Sequence, residues 1–241
     1  DYDNDGYLDL TVSNFQTETN TIYHNEGNDF FMDLTITTGM AEQTYNYLGW
    51  GIKFFDYDND GWQDVFVVNG HVMDNINQLE PNVTLPQKNL LFRNMLNGTF
   101  ELVNGTDGLN IKKVSRSAAF GDYDNDGDID IIVTNWNQSP DLLRNEVGNR
   151  NHWVMFKTIG VKSNQSGIGS KITVTTENLT QYREVRSDGS YLSASDLRVH
   201  FGLGTAGAIK QVEIQWPSGQ TDHHKNLSVN QEYTLIEGQK I

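Results

Sequence analysis

Short apolar runs bounded by Asn, Gly and Asp dominate the chain, and almost none carries a helical period. The runs LTVSN (10–14), VFVVN (65–69) and IIVTN (131–135) are β-branched and each ends in Asn, the composition of a strand closed by a turn. Two further strand-like runs precede the second and third of these, GWGIKFF (49–55) and SRSAAFG (115–121). A later set follows each: IYHNEGNDFF (22–31), LLFRNMLNGTF (90–100) and LLRNEVGN (142–149). Past residue 150 the template stops but the alternation continues, in HWVMFKTIG, KITVTT, RVHFGLG, VEIQWPSG and EYTLIEG. The pattern predicts an all-β fold.

What aligns the first three sets is one hexapeptide, DYDNDG, at 1–6, 56–61 and 122–127, with another Asp three residues beyond it each time. The offsets are 55 and 66 residues, and the first two units close on Gly in TTGM (37–40) and TDGL (106–109). About four short strands per repeat of this length is the signature of a propeller blade. The polar segment 74–88, with two prolines, reads as an insertion that lengthens the second unit. The expectation is a partial β-propeller of about three blades over residues 1–150, followed by a small β-sandwich or barrel-like domain over 151–241. NHWVMFKT at the junction could instead finish the last blade.

The spacing D-x-D-x-D-G-x-x-D carries its own chemistry. Carboxylates fall at loop positions 1, 3, 5 and 9, while Gly at 6 permits a sharp turn that aims the carbonyl of residue 7 at the same centre. Such an all-oxygen cage suits a cation of calcium's size; magnesium demands tighter octahedral geometry. The expected ligands are Asp1, Asp3, Asp5 and Asp9 with the Tyr7 carbonyl; Asp56, Asp58, Asp60 and Asp64 with the Trp62 carbonyl; and Asp122, Asp124, Asp126 and Asp130 with the Asp128 carbonyl. An EF-hand would require an acid at position 12, which here is Val12, Val67 and Val133. Solvated Asp/Asn/Gly turns are the plainer reading of one such loop; three at equivalent repeat positions favour about three Ca2+ sites.

Charge supports that picture. The formal net charge is −15, and 13 of the 32 acidic residues lie in the three nine-residue segments. A chain this acidic is a poor partner for nucleic acid or an anionic membrane surface. There is no cysteine, so thiolate sites and disulfides are excluded. No apolar run approaches the roughly 18 residues of a membrane span. The chain starts inside a repeat and without Met, so a signal peptide is expected in a preceding part of a longer protein.

These residues resemble known families. The repeats are similar to FG-GAP/VCBS repeats, the calcium-binding blades of integrin-α-like β-propellers. NHW (151–153), GIGSKITV (167–174), REVRSDGSYLSASD (183–196), HFGLG (200–204) and WPSG (216–219) resemble the ASPIC/UnbV domain of the cartilage acidic protein family. NGH (69–71) and NLLFRN (89–94) look like that family's propeller. The resemblance implies a secreted or cell-surface, calcium-binding protein engaged in adhesion, with a protein or glycan as partner. It transfers no chemistry to the ASPIC/UnbV domain. The chain departs from the pattern in holding fewer than three whole units, too few to close a ring.

Other residues add little. His71, near Asp74, is a general-base candidate or a hydrogen-bonded loop histidine; His223 and His224 sit in TDHHKN, a polar turn in which neighbouring side chains diverge. The GIGS segment reads as a tight turn, no G-x-S-x-G elbow occurs, and seven N-x-S/T sequons lie in turn-rich sequence. Trp62 and Trp136 are the tryptophans expected to flank the metal-loop side. The sequence favours a non-enzymatic calcium-binding scaffold; the alternative is a calcium-stabilised polysaccharide lyase or hydrolase whose active site lies largely outside this segment.

Overall fold

The computed structural model describes residues 1–105 and 107–240. It is all-β, with only short helices among the described residues. The first unit forms an antiparallel sheet in the order β1 (Leu10–Val12), β2 (Thr21–Asn25), β3 (Phe31–Asp33). Helix α1 (Met40–Thr44), anchored by the fully buried Met40, leads into β4 (Gly49–Phe55) and β5 (Asp64–Asn69). The insertion contributes α2 (Ile76–Leu79) and β6 (Gln87–Lys88), after which β7 (Leu90–Asn94) and β8 (Phe100–Leu102) complete a four-stranded sheet in the order β4-β5-β7-β8. Strand β9 (Lys112–Lys113) pairs with β6. The third unit is β10 (Ser115–Gly121), β11 (Asp130–Asn135) and β12 (Gln138–Leu143). Among the described residues, only the second of these units forms a four-stranded sheet.

The continuous apolar run of β5 follows from its place. All six of its residues are buried. Val65 and Val67 pack toward Tyr2, Ile22 and Phe92, while Phe66 and Val68 pack toward Phe120, Ile131 and Val133. A strand with neighbours on both faces has no solvent side to keep polar. Each such Val or Phe contributes about 1.5–3 kcal/mol by burial. Strand β1, at the flank, leaves Leu10 and Val12 exposed.

The remaining strands are β13 (His152–Ile159), β14 (Lys171–Thr175), β15 (Thr180–Glu184), β16 (Val199–Gly204), β17 (Ile209–Gln215), β18 (Thr221–Leu227) and β19 (Gln231–Ile236). They form two sheets, β16-β13-β19 and β15-β14-β17-β18, around a core of Val154, Phe156, Ile172, Phe201, Ile214 and Leu235. Thus HWVMFKTI pairs with β16 and, in parallel, with β19 rather than extending the third sheet. Met155 on the opposite face of β13 joins Phe55, Phe120 and Ile131, so this strand belongs to two cores at once.

Two expectations are corrected. TDHHKN is not a turn but most of β18, with His224 buried and His223 exposed, as alternation along a strand requires. Trp136 lies at the far end of β11 from the acidic loop, separated by six strand residues, or roughly 20 Å. No helix among the described residues is long and apolar enough to cross a membrane.

Candidate metal centres

Each acidic loop joins two strands of one sheet, or in the first unit leads into β1, and its backbone is set by two residues. Asn at position 4 adopts a left-handed conformation (φ 60°, 56° and 59° for Asn4, Asn59 and Asn125), which Asn tolerates better than most residues. Gly at position 6 has φ 93°, 93° and 96° at Gly6, Gly61 and Gly127, a region costly for any residue with a Cβ.

The loop then closes on its own amides. Gly6 N donates to Asp1 Oδ2 (3.2 Å), Gly61 N to Asp56 Oδ2 (2.8 Å) and Gly127 N to Asp122 Oδ2 (3.0 Å). Position 9 accepts twice: Asp9 from Tyr2 N and Asn25 N, Asp64 from Tyr57 N and Asn94 N, Asp130 from Tyr123 N and Asn145 N. Position 5 turns back on the loop, with Asp5 Oδ1, Asp60 Oδ1 and Asp126 Oδ1 accepting from the amides of residues 7, 62 and 128.

What remains convergent is positions 1, 3 and 9. Oxygens of Asp1, Asp3 and Asp9, of Asp56, Asp58 and Asp64, and of Asp122, Asp124 and Asp130 lie within 4.8 Å of one another in each loop. Asp5, Asp60 and Asp126 do not join those groups; Asp5 instead forms one with Asp3 and His24. Tyr7, Trp62 and Asp128 enter the candidate sets only through their carbonyls. The Asp128 side chain is buried and accepts from Asn149 N (3.2 Å).

Burial works against the charged form of several of these carboxylates. Burial, then the nearby Asp60, pushes Asp56 well up from the ordinary carboxylate range, and burial does the same to Asp64. Asp60 is pushed up to about 6 and Asp128 to about 8, burial again leading. Asp1 Oδ1, Asp58 Oδ1 and Asp124 Oδ1 are buried and accept no hydrogen bond. A buried acceptor without a donor costs free energy that a bound cation would recover. The donor set is all oxygen, so the residues present fit a hard divalent cation.

Three features of the site escaped the sequence reading. Position 4 is a tie between loops: Asn4 Nδ2 donates to Gly61 O (3.1 Å) and Asn59 Nδ2 to Gly127 O (2.9 Å). A second set runs from the later signature, Asn94 Nδ2 to Tyr2 O (2.8 Å) and Asn145 Nδ2 to Tyr57 O (2.6 Å). The residue before that Asn is basic in every unit and reaches the carboxylates. Arg93 Nη2 lies 2.8 Å from Asp58 Oδ2, Arg144 Nε 2.7 Å from Asp124 Oδ2, and His24 Nδ1 3.2 Å from Asp9 Oδ1. Each recurs at a fixed template position, so the repeat alignment contained the signal.

The C-terminal sheets rest on the outer side of these loops. Gly204 N donates to Asn59 O (2.8 Å), Asn151 Nδ2 to Asp58 O (2.8 Å) and Arg198 Nη2 to Asp122 O (3.0 Å), while His200 Nε2 lies 3.1 Å from Gly127 O. Burial holds His200 down at about 4, so it sits there as a neutral ring. His71 is also fully buried, its Nδ1 accepting from Met73 N (3.0 Å), which is the loop-histidine reading.

Comparison with known proteins agrees with this build. Residues 1–67 match the family model described as FG-GAP-like repeat, and residues 160–241 match that described as ASPIC and UnbV. Two curated relatives, Cartilage acidic protein 1 of Mus musculus and of Xenopus tropicalis, are each 24% identical, over 254 and 253 residues and 83% of this chain. The chain spans 38% of the length of either relative. The chain is thus similar to FG-GAP-like repeats over residues 1–67 and to ASPIC and UnbV over residues 160–241.

Proposed function

We propose that the segment is a non-enzymatic, calcium-stabilised extracellular scaffold that binds a protein or glycan through its propeller loops. Three buried carboxylate oxygens without donors, Asp1 Oδ1, Asp58 Oδ1 and Asp124 Oδ1, carry this reading. Asp1, Asp3 and Asp9, with their counterparts in the other loops, would hold the cation, and Asp5, Asp60 and Asp126 with the carbonyls of Tyr7, Trp62 and Asp128 would complete the shell. The cation would supply charge compensation and fixed loop geometry. In this reading residues 1–150 are the blades and 151–241 the second domain.

Two further points support it. Modules of this type in extracellular proteins bind at about 0.1–1 mM, a range that cytosolic calcium would leave empty. The relatives' name places a similar protein in cartilage and calls it acidic, in keeping with the net charge of −15.

A calcium titration by calorimetry, paired with thermal melts, tests the proposal on the chain and on an Asp58→Ala/Asp124→Ala variant. About three sites, a melting temperature that rises with calcium, and loss of two of those sites in the variant are expected. No heat and no shift would reduce the hexapeptides to acidic turns.

A further inference from the structure

A cavity of about 340 Å3 lies where the C-terminal sheets meet the repeats. Strands β1, β4 and the end of β10 wall it on one side, and the end of β15 and the start of β16 on the other. That volume is at the lower end of the range of about 300–1,000 Å3 that small-molecule sites occupy. Phe55, Phe120, Ile129 and Met155, all buried, give it an apolar floor. Lys53 of β4, half-buried, lines the same cavity. Gly189 covers its tip so closely that a Cβ there would stand 2.7 Å from Nζ.

The donors at this end of the cavity are not used up by the fold. The Lys53 ammonium donates to Ser195 Oγ (2.9 Å) and lies 5.2 Å from the centre of the Phe120 ring. An ammonium has three donors, and among the described residues this one makes no other hydrogen bond and no ion pair. Ser195 Oγ also accepts from the Phe120 amide (3.3 Å). Both of its partners are donors with no acceptor to offer, so the Ser195 hydroxyl proton is unspent as well. The segment is tied to β10 on either side of that hydroxyl, by Ser193 Oγ to Ala118 O and by Asp196 N to Phe120 O (2.9 Å). Compensation of charge is short too. Burial holds the Lys53 amine down at about 8, with Asp188 pulling the other way and Arg186 adding to the effect. Arg186 and Arg198, which line the same cavity, already pair with Glu184 and Asp188 and with Asp196 and Glu232, while Arg183 sits with the acidic loops, beside Asp1 and Asp56.

We propose that this cavity binds a small organic carboxylate with an apolar body, its acid group on Lys53 Nζ and Ser195 Oγ and its body over Phe55, Phe120 and Met155. One carboxylate oxygen accepts from the ammonium and the other from the hydroxyl, a charge-assisted pair of bonds. A phosphate monoester would bring a second negative charge that one ammonium does not match. The site is independent of the cation reading of the loops. It gives a role to the signature segment 183–196, in which Ser195 lies.

The test titrates the whole chain, in calcium buffer, with benzoate, phenylacetate and the neutral benzamide, followed by ligand-observed NMR. At least one acid should bind with a Kd of about 1 mM or tighter, and benzamide should not. Lys53→Met keeps the stem and removes the charge, and should weaken the acid about 10- to 100-fold. Ser195→Ala keeps the ammonium and should weaken it about 2- to 10-fold. Thermal melts check that both variants fold. A footprint needs no variant at all: bound acid should protect Lys53 from acetylation, read by mass spectrometry, and leave the other lysines as they were. Benzamide binding as tightly as the acids would overturn the proposal, as would equal affinity in Lys53→Met or an unprotected Lys53. Binding of neither acid would also overturn it and leave Lys53 as a tie for the segment that carries Ser195.

Discussion

The first and second acidic loops have the same hexapeptide and nearly the same backbone, and they live in different surroundings. In the second, Asp56, Asp58, Asn59, Gly61 and Asp64 are all buried; in the first, Asp5 and Gly6 are exposed. The difference comes from what lies on top. Strand β16 and the β14–β15 turn press on the second loop, where Gly202 leaves no room for a Cβ beside Asp56 and Asn59, and Leu179 lies against Gly61. The first loop meets only the side of Tyr182 at Gly6. Identical local sequence therefore fixes loop shape, while long-range packing fixes solvation and, with it, how strongly each loop's carboxylates need compensation.

Position 6 offers the sharpest way to break that comparison. Gly6, Gly61 and Gly127 share a positive φ, so an Ala at any of them meets the same left-handed cost of about 1–2 kcal/mol. Their neighbours differ. A Cβ would stand 3.5 Å from Tyr182 at Gly6, 2.7 Å from Leu179 at Gly61, and 1.9 Å from the Trp153 ring at Gly127. Overpacking adds about 1–3 kcal/mol where the neighbour cannot yield. Urea unfolding should rank the losses Gly127→Ala above Gly61→Ala above Gly6→Ala, with the first at about 3 kcal/mol or more. Three equal losses would mean that backbone strain alone decides and that the C-terminal sheets do not bear on the loops.

The ties at position 4 come next. Asn59→Ala removes a fully buried side chain together with one of the two side-chain contacts to Gly127 O, the other being His200 Nε2, and should cost about 1–3 kcal/mol through the cavity and the lost bond. Asn4→Ala breaks the matching bond to Gly61 O in a half-buried setting and should cost about 0.5–1.5 kcal/mol. Equilibrium unfolding of the two variants checks the gap.

How much of this was legible in the sequence divides along the same line. The three loops and the strands around them follow from repeat spacing and apolar period, which are local. Asn4 and Asn59 read as turn formers, and so they are, but their side chains act across roughly 60 residues of chain. That Trp153 would meet Gly127, or that HWVMFKTI would serve two cores, depends on a sheet assembled from residues 152 to 236. TDHHKN misled because His and Asp in succession look like a turn, whereas pairing with β17 supplies the strand. Position 5 was assigned with the other carboxylates on spacing alone; its reach back to the residue-7 amide is a property of the folded loop.

Removing the cation sharpens the comparison more gently. A site kept at ten times its dissociation constant contributes about 1.4 kcal/mol to stability, so chelation should lower the melting temperature while leaving the fold intact at 25 °C. The indole of Trp153 lies against the third loop at Gly127 and is a natural reporter. Its emission should shift on chelation, and the shift should shrink in Asp124→Ala. An unchanged spectrum would show that the third loop keeps its shape without an ion.

The last contrast sets the massed loop carboxylates against one that has all the donors it needs. Glu237, just past β19, accepts from the amides of Val161 (2.7 Å), Lys162 (2.6 Å) and Ser163 (2.8 Å) and from the Ser163 hydroxyl (3.1 Å), with a further short bond from Ser218 Oγ. Burial by itself would raise its carboxyl, but those bonds together, the Ser163 amide first among them, outweigh it and hold the carboxyl down at about 2. A carboxylate whose folded value is depressed stabilises the fold fully above its unfolded value, about 4.3, and loses that contribution as the pH falls toward the folded value. Stability followed by urea unfolding should therefore decline between about pH 5 and pH 2 with a component that Glu237→Gln abolishes. The same substitution should leave the calcium response of the loops unchanged, since backbone amides and two serine hydroxyls compensate this charge. A variant that altered calcium binding would instead show that the C-terminal turn and the loops are held by one network.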